Sequence, residues 1–219
     1  MNVIEYLQNY YDKSTLEKGY IGKTEQGKPI PFFLVKKSAY PIVIVQCAIH
    51  AREYITTYLC LKLIDDFVKN GKNGSVYFIP MVNIDGVEIC LTKDKLYKAN
   101  ANGVDLNVNF EARWGLGAQN VFTKGAKNYV GKSPFSESET KALRDFTLIV
   151  NPNLTISYHS KGEEIYWEFF QPKENLQRDF KIAKKASEIT GYPLKRTPNS
   201  SGGYKDWCIE KLLIPAYLT

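Results

Sequence analysis

Histidine, with methionine, is the scarcest residue of this chain: 219 residues contain two histidines, His50 and His159. Chemistry that needs several imidazoles is excluded, and any site using the two present is easy to locate. Cysteine is nearly as sparse. Cys47, Cys60, Cys90 and Cys208 stand far apart and form no CxxC pair. A zinc knuckle and a dense disulfide frame are excluded, and small core residues in a reducing compartment are expected. No apolar run approaches the roughly 20 residues of a membrane helix. The start, Met1-Asn2-Val3-Ile4-Glu5-Tyr6, has neither part of a signal peptide, so a cytoplasmic protein without membrane contact is expected. Gly22-Lys23-Thr24 ends like a phosphate loop, but position 17 is Glu17 where that loop needs glycine, so no nucleotide site is expected.

Internal repeats and low-complexity linkers are also absent, and one domain over residues 1–219 is expected. The hydrophobic share of 44% and the charged share of 24% suit an ordinary globular core. The net charge is +6, with lysines spread along the chain rather than in runs. A solvated surface is the reading that follows, not a nucleic-acid binder. Oligomeric state leaves no mark on the sequence.

Apolar periodicity outlines the elements. Val3, Ile4, Tyr6, Leu7, Tyr10 and Tyr11 have helical spacing. A β-hairpin turning at Gln26-Gly27 follows, and its second strand covers 31–35. The β-branched run Ile42-Val43-Ile44-Val45 reads as a strand over 41–47 buried on both faces, followed by a helix over 53–70. A strand over 75–82 closes at Asn83-Ile84-Asp85-Gly86. Residues 93–135 lack a period and form a long irregular excursion, which in a compact domain is usually functional or disordered. Ser136 is placed as N-cap of a helix to 150, with Glu139 completing a capping box. A strand over 153–158, a strand-like 165–170, a helix 173–190 ended by Gly191, a helix 203–212 and a buried strand from 214 complete the chain. This alternation predicts an α/β fold: a single domain with a mixed, mostly parallel twisted sheet flanked by helices.

Both histidines fall just past apolar strands, where ligand sites of open α/β sheets lie. Glu53 follows His50 by three residues. Two imidazoles and a carboxylate make a familiar catalytic zinc set that leaves one position open. Two hydrogen-bonded core histidines would fit the same pattern.

The motifs His50-Ala51-Arg52-Glu53, Asn83-Ile84-Asp85-Gly86, Gly103-Val104-Asp105-Leu106-Asn107, Tyr158-His159-Ser160 and Ser201-Gly202-Gly203-Tyr204-Lys205-Asp206-Trp207 together carry a resemblance. From about Gly19 to Thr219 the chain resembles the zinc carboxypeptidases typified by carboxypeptidase A, especially a bacterial branch of γ-D-glutamyl-diamino-acid peptidases acting on cell-wall peptides. The resemblance implies one zinc ion on His50, Glu53 and His159, a peptide substrate, and hydrolysis of its peptide bonds. It implies that Asp105 holds the first histidine ring and that Arg52 contacts substrate. Lys98 matches the arginine that stabilises the oxyanion, replacing a guanidinium fork by a point charge. Asn107 matches an asparagine that binds the terminal carboxylate, and Asp206 a position on the pocket floor. Trp207 is read as core packing.

Three departures accompany the match. Val108 stands where the family has a carboxylate-gripping arginine, with Arg113 and Lys161 as candidate replacements. Pro198 stands where the substrate-covering tyrosine is expected. The family's general-base glutamate would fall a residue or two past Thr219, and the family's last helix later still. The expectation is therefore a zinc-dependent peptidase domain cut short at its C-terminal end. The competing expectation is a zinc-binding or peptide-binding module without activity.

Overall fold

The computed structural model describes residues 1–196 and 199–219, so the position counted to Pro198 lies outside the described residues. Among the described residues, six α-helices and eight strands build a sheet covered on both faces. In chain order they are α1 (Val3–Lys13), β1 (Glu17–Lys23), β2 (Pro29–Lys36), β3 (Ile42–Cys47), α2 (Ile55–Asn70), β4 (Ser75–Ile79) and α3 (Ile84–Thr92). After the long excursion come α4 (Ser138–Val150), β5 (Leu154–Tyr158), β6 (Ile165–Tyr166), α5 (Lys173–Thr190), β7 (Leu194–Lys195), α6 (Tyr204–Leu212) and β8 (Ala216–Leu218).

The strand order is β1-β2-β4-β3-β5-β8-β6-β7. The centre, β4-β3-β5-β8, is parallel, while β1, β2 and the β6–β8 contact are antiparallel. The mixed sheet therefore matches the expected class, with its parallel part at the middle where burial on both faces is needed.

Side-chain alternation decides the layers. On β3, Cys47 points toward Cys60 of α2, which also packs with α1. Ile44 points the other way, beside Thr155 of β5, which meets Tyr204 of α6. The Tyr204 hydroxyl in turn lies 2.8 Å from Thr147 Oγ1, which puts α4 on the same face as α6. The α5 helix packs Ala183 against Tyr217, completing the α2 face near β8. All four cysteines are buried and free, and Trp207 is core. No helix is long and apolar enough to cross a membrane among the described residues.

Several local readings shift. The strand from Ser75 ends at Ile79, and Asn83 is not a closing turn but the N-cap of α3, accepting from the Gly86 N–H at 3.0 Å. A nine-residue helix opening with a glycine in its first turn leaves too little period to see. Ser136 is not an N-cap: α4 begins two residues later with Glu137 as its cap, and the Ser136 hydroxyl donates to Glu137. The 165–170 segment pairs only through Ile165 and Tyr166, and the two-residue β7 is invisible to periodicity.

The excursion between α3 and α4 is irregular but tightly held. Asn109 is fully buried; its amide donates to Val130 O, Ser133 O and Ser136 Oγ, and its Oδ1 accepts from the Thr140 hydroxyl. Phe110 N donates to Gly202 O and Gly202 N to Ala112 O. Gly202 has φ +88°, and a Cβ there would lie 2.8 Å from Val108 O, so only glycine allows this approach.

Glu139 has moved from its expected capping role into a buried carboxylate group. It accepts from Glu25 N and Asn100 Nδ2, with the Glu25 and Glu137 carboxylates within 4.8 Å. Burial raises its carboxyl to about 7 against hydrogen bonds that work the other way. The folded protein therefore binds this proton more tightly than the unfolded chain. Its stabilising effect is complete below the ordinary value of 4.5 and is lost as pH rises toward about 7. We expect wild type to lose up to roughly 3 kcal/mol between those limits relative to Glu139→Gln, read from urea midpoints at several pH values.

Candidate metal centre and adjoining clefts

Adjacent parallel strands deliver both histidines to one edge of the sheet. Cys47 of β3 pairs with Tyr158 of β5, so His50 and His159 emerge on the same side. The connection from β3 turns through Ala48, whose φ of +50° is unusual for a non-glycine residue and is held by Ala48 N donating to Thr56 Oγ1 at 2.9 Å. A short 3-10 turn over Ala51–Glu53 then brings Glu53 back beneath His50.

Asn83 locks this turn to its surroundings. Its fully buried amide donates to Ile49 O and Ala99 O. Ala51 N donates to Lys98 O at 3.0 Å, so the segment before Asp105 is tied to the segment after His50. Gly86 permits the crossing, since a Cβ there would lie 2.3 Å from Ala99 O.

Three donor atoms converge. His50 Nδ1 lies 3.2 Å from Glu53 Oε2, His159 Nδ1 2.8 Å from the same oxygen, and the two nitrogens 3.2 Å apart. A tetrahedral ion with ligands at 2.0–2.1 Å separates them by about 3.3 Å. The three side chains are almost fully buried, at 6–8% exposure. The donor set, its spacing and its burial fit a zinc ion, which would supply Lewis acidity toward a carbonyl and acidify water.

Electrostatics prepare the donors. Burial would raise the Glu53 carboxyl, but the hydrogen bonds with His159 and His50 outweigh it and hold it well below the usual range. Burial lowers the His159 ring. His50 is raised instead, because Asp105 overcomes the effect of burial. Asp105 Oδ1 lies 3.2 Å from His50 Nε2, where a carboxylate keeps the proton on the far nitrogen and leaves Nδ1 free to ligate. The same Asp105 receives Lys98 Nζ at 2.5 Å, and its carboxyl is held low by both neighbours against burial.

A cleft of about 590 Å³ opens beside His50, with Asn107, Val108 and Asn128 in its wall. Arg52 lies in a second cleft of about 470 Å³, which shares Lys98, Asp105 and Asn128 with the first. Asp206 lines neither: its Oδ2 accepts from Gly203 N, and its Oδ1 pairs with Lys205 at 2.5 Å. A short carboxylate that caps the start of its own helix is held beneath the backbone, away from the cleft. Arg113 stands 3.1 Å from Glu210 and stacks over Phe170, and it too is away from the cleft. Asn128 was missed by sequence reading. It adopts φ +63° and accepts from Lys98 Nζ at 3.0 Å. Its signal was an Asn inside a Gly/Lys-rich loop, which is common to many turns.

A family model described as zinc carboxypeptidase matches residues 2–215. The chain belongs to the zinc carboxypeptidase family. It is 31% identical over 255 aligned positions to gamma-D-glutamyl-L-diamino acid endopeptidase 1 of Lysinibacillus sphaericus, covering 99% of this chain and 63% of that protein. Carboxypeptidase O of Homo sapiens is 28% identical, over 89% of this chain and 62% of its own length. This zinc carboxypeptidase chain thus spans less than two thirds of the length of these curated relatives.

Among solved structures, bovine thrombin-activatable fibrinolysis inhibitor in complex with tick carboxypeptidase inhibitor superposes with TM-score 0.80 at 25% identity, over 99% of this chain and 81% of that one. A murein-tripeptide amidase of Escherichia coli O157 shares the fold, with TM-score 0.63 at 22% identity, over 92% of this chain and 81% of that one. For this family member, changing Asp105→Asn should weaken zinc binding about 10–100-fold, measured by competition with a chromophoric chelator, because the far-side proton of His50 then faces a neutral amide in place of a carboxylate.

Proposed function

We propose that this chain is the zinc-binding part of a metallopeptidase that hydrolyses peptide bonds, with peptidoglycan stem peptides as its substrates. The observation that carries the reading is the meeting of His50 Nδ1, Glu53 Oε2 and His159 Nδ1 within 3.2 Å, with His50 lining an open cleft. His50, Glu53 and His159 hold the zinc ion. Asp105 orients His50. Lys98 presents a positive charge at the cleft wall, where it can stabilise an oxygen gaining negative charge. Asn107 orients the substrate by hydrogen bonding. The substrate class is supported by the endopeptidase relative, whose name describes a bond between a γ-linked D-glutamate and a diamino acid.

Val108 at the cleft wall cannot bond a carboxylate, so simple release of a C-terminal residue is not the favoured mode. Peptides ending in an unmodified Phe or Lys should be cleaved poorly relative to γ-glutamyl-diamino-acid peptides. Efficient release of such a terminal residue would overturn that part.

A second reading, a zinc-binding module without peptidase activity, has one observation in its favour. Among the described residues Asp105 is the sole acid lining the larger cleft, and it is already paired with Lys98. General acid–base transfer is typically worth about 10²–10⁴-fold, so a site with no free acid would be slow.

Metal analysis and peptide assays test both readings. The purified protein should carry one zinc per chain, lost in His159→Ala. A chelator should abolish hydrolysis, and added zinc should restore it. Stoichiometric zinc with no hydrolysis of γ-glutamyl peptides would favour the module; no zinc would end both.

A further inference from the structure

The two clefts meet at Lys98, Asp105 and Asn128 and differ in what each adds to that shared wall. The larger one is lined chiefly by carboxamides, among them Asn107, Gln119, Asn120 and Asn199. Its outer cation, Arg196, stands 2.7 Å from Glu168. Carboxamides both donate and accept, which suits peptide groups rather than an isolated anion. The smaller cleft adds Arg52, Lys127 and Asp94 to the shared Lys98 and Asp105.

Residues 93–132 contain seven lysines and arginines against three acids, a net +4 within a total of +6. Of the cations in the 93–98 and 124–128 segments, Lys98 and Lys127 reach the wall of the cleft, with Asp94 beside them.

The cations there are not equally free. Lys98 is committed to Asp105 and Asn128. Arg52 is half-buried, yet among the described residues no carboxylate lies within 4.0 Å and no hydrogen bond engages its guanidinium. Five fixed N–H donors, partly withdrawn from water and left unspent, match the two oxygens of a carboxylate. Lys127 is exposed on the same wall and adds a second positive charge.

We propose that the Arg52 cleft binds a free carboxylate of the substrate adjoining the bond to be broken, on the side away from Asn107. This rests on the peptidase reading above and names what that site selects. A γ-linked glutamyl unit has this chemistry, because its chain runs through the side-chain carboxyl and leaves the α-carboxylate unused. An α-linked residue places a neutral amide there. In this arrangement Arg52 and Lys127 read the anionic substituent, while the carboxamide-lined cleft takes the uncharged peptide beyond the bond.

Binding to the zinc-loaded protein tests this without relying on turnover. The probe is fluorescein-labelled Ala-γ-D-Glu-Lys with its C-terminus amidated, compared with the same peptide whose glutamyl α-carboxyl is also amidated. Fluorescence anisotropy on fresh mixing should show the carboxylate peptide binding at least about tenfold more tightly, the range of a charge-assisted bidentate contact. Arg52→Gln should bring it down to the affinity of the amide peptide and leave the latter within about twofold of wild type. Lys127→Gln, on an exposed residue, should narrow the gap by about two- to threefold, and added salt should narrow it further.

Equal affinities of the two peptides for wild type would overturn the proposal while leaving the peptidase reading intact, as would equal weakening of both by Arg52→Gln. If neither peptide binds a protein of full zinc content, both fail together. Should Arg52→Gln lose its zinc, the Lys127→Gln and salt measurements decide, and an undiminished gap in both overturns the proposal.

Discussion

The parallel pairing of β3 with β5 is the constraint on which the remaining structure depends. Its register sets Cys47 opposite Tyr158, so the chain leaves both strands at one edge with an imidazole three residues on from the first and one residue on from the second. A slip of one residue would turn every side chain of a strand to the other face. The interior holds the register firmly, because Ile44 and Cys47 are both fully buried on opposite faces of β3. Donor atoms that meet within 3.2 Å thus inherit their precision from core packing, not from the loops that bear them.

Loops of such length need their own internal order, and here buried carboxamides provide it. Asn83 ties the segment before His50 to the segment after Lys98. Asn109 ties the excursion to the start of α4. Asn100 closes its own turn and also bonds the buried carboxylates of Glu137 and Glu139. Each amide satisfies several backbone groups that would otherwise be buried without partners, a cost of about 1–3 kcal/mol apiece. Order in this region therefore comes from a few polar side chains, where a helix or sheet would use its ladder.

Much of this was legible in the sequence, and for physical reasons. The scarcity of histidine confined the search for a metal site, and β-branched runs ending at each one marked strands of a parallel sheet. Long amphipathic helices such as α5, with Gly191 in the left-handed conformation at its end, announce themselves by period and cap. Short elements do not. The α3 helix and the two-residue β7 take shape only because neighbours pair with them. The Ser136-to-Glu139 pattern has the spacing of a capping box, yet Glu139 turns to a buried carboxylate group and Glu137 takes the cap position. Asp206 likewise satisfies the backbone of its own helix rather than reaching a cleft.

The sequence by itself determined the sheet class, the family-specific motifs and the three candidate ligands, because periodicity and residue chemistry are local properties. The tertiary structure alone decided which polar groups face one another: Asn128 against Lys98, the guanidinium of Arg52 in the second cleft, and the lysines of two distant segments on one wall. Those relations depend on how the excursion between α3 and α4 folds back on itself. Its path is set by buried hydrogen bonds between residues far apart in the chain, which no repeating pattern records.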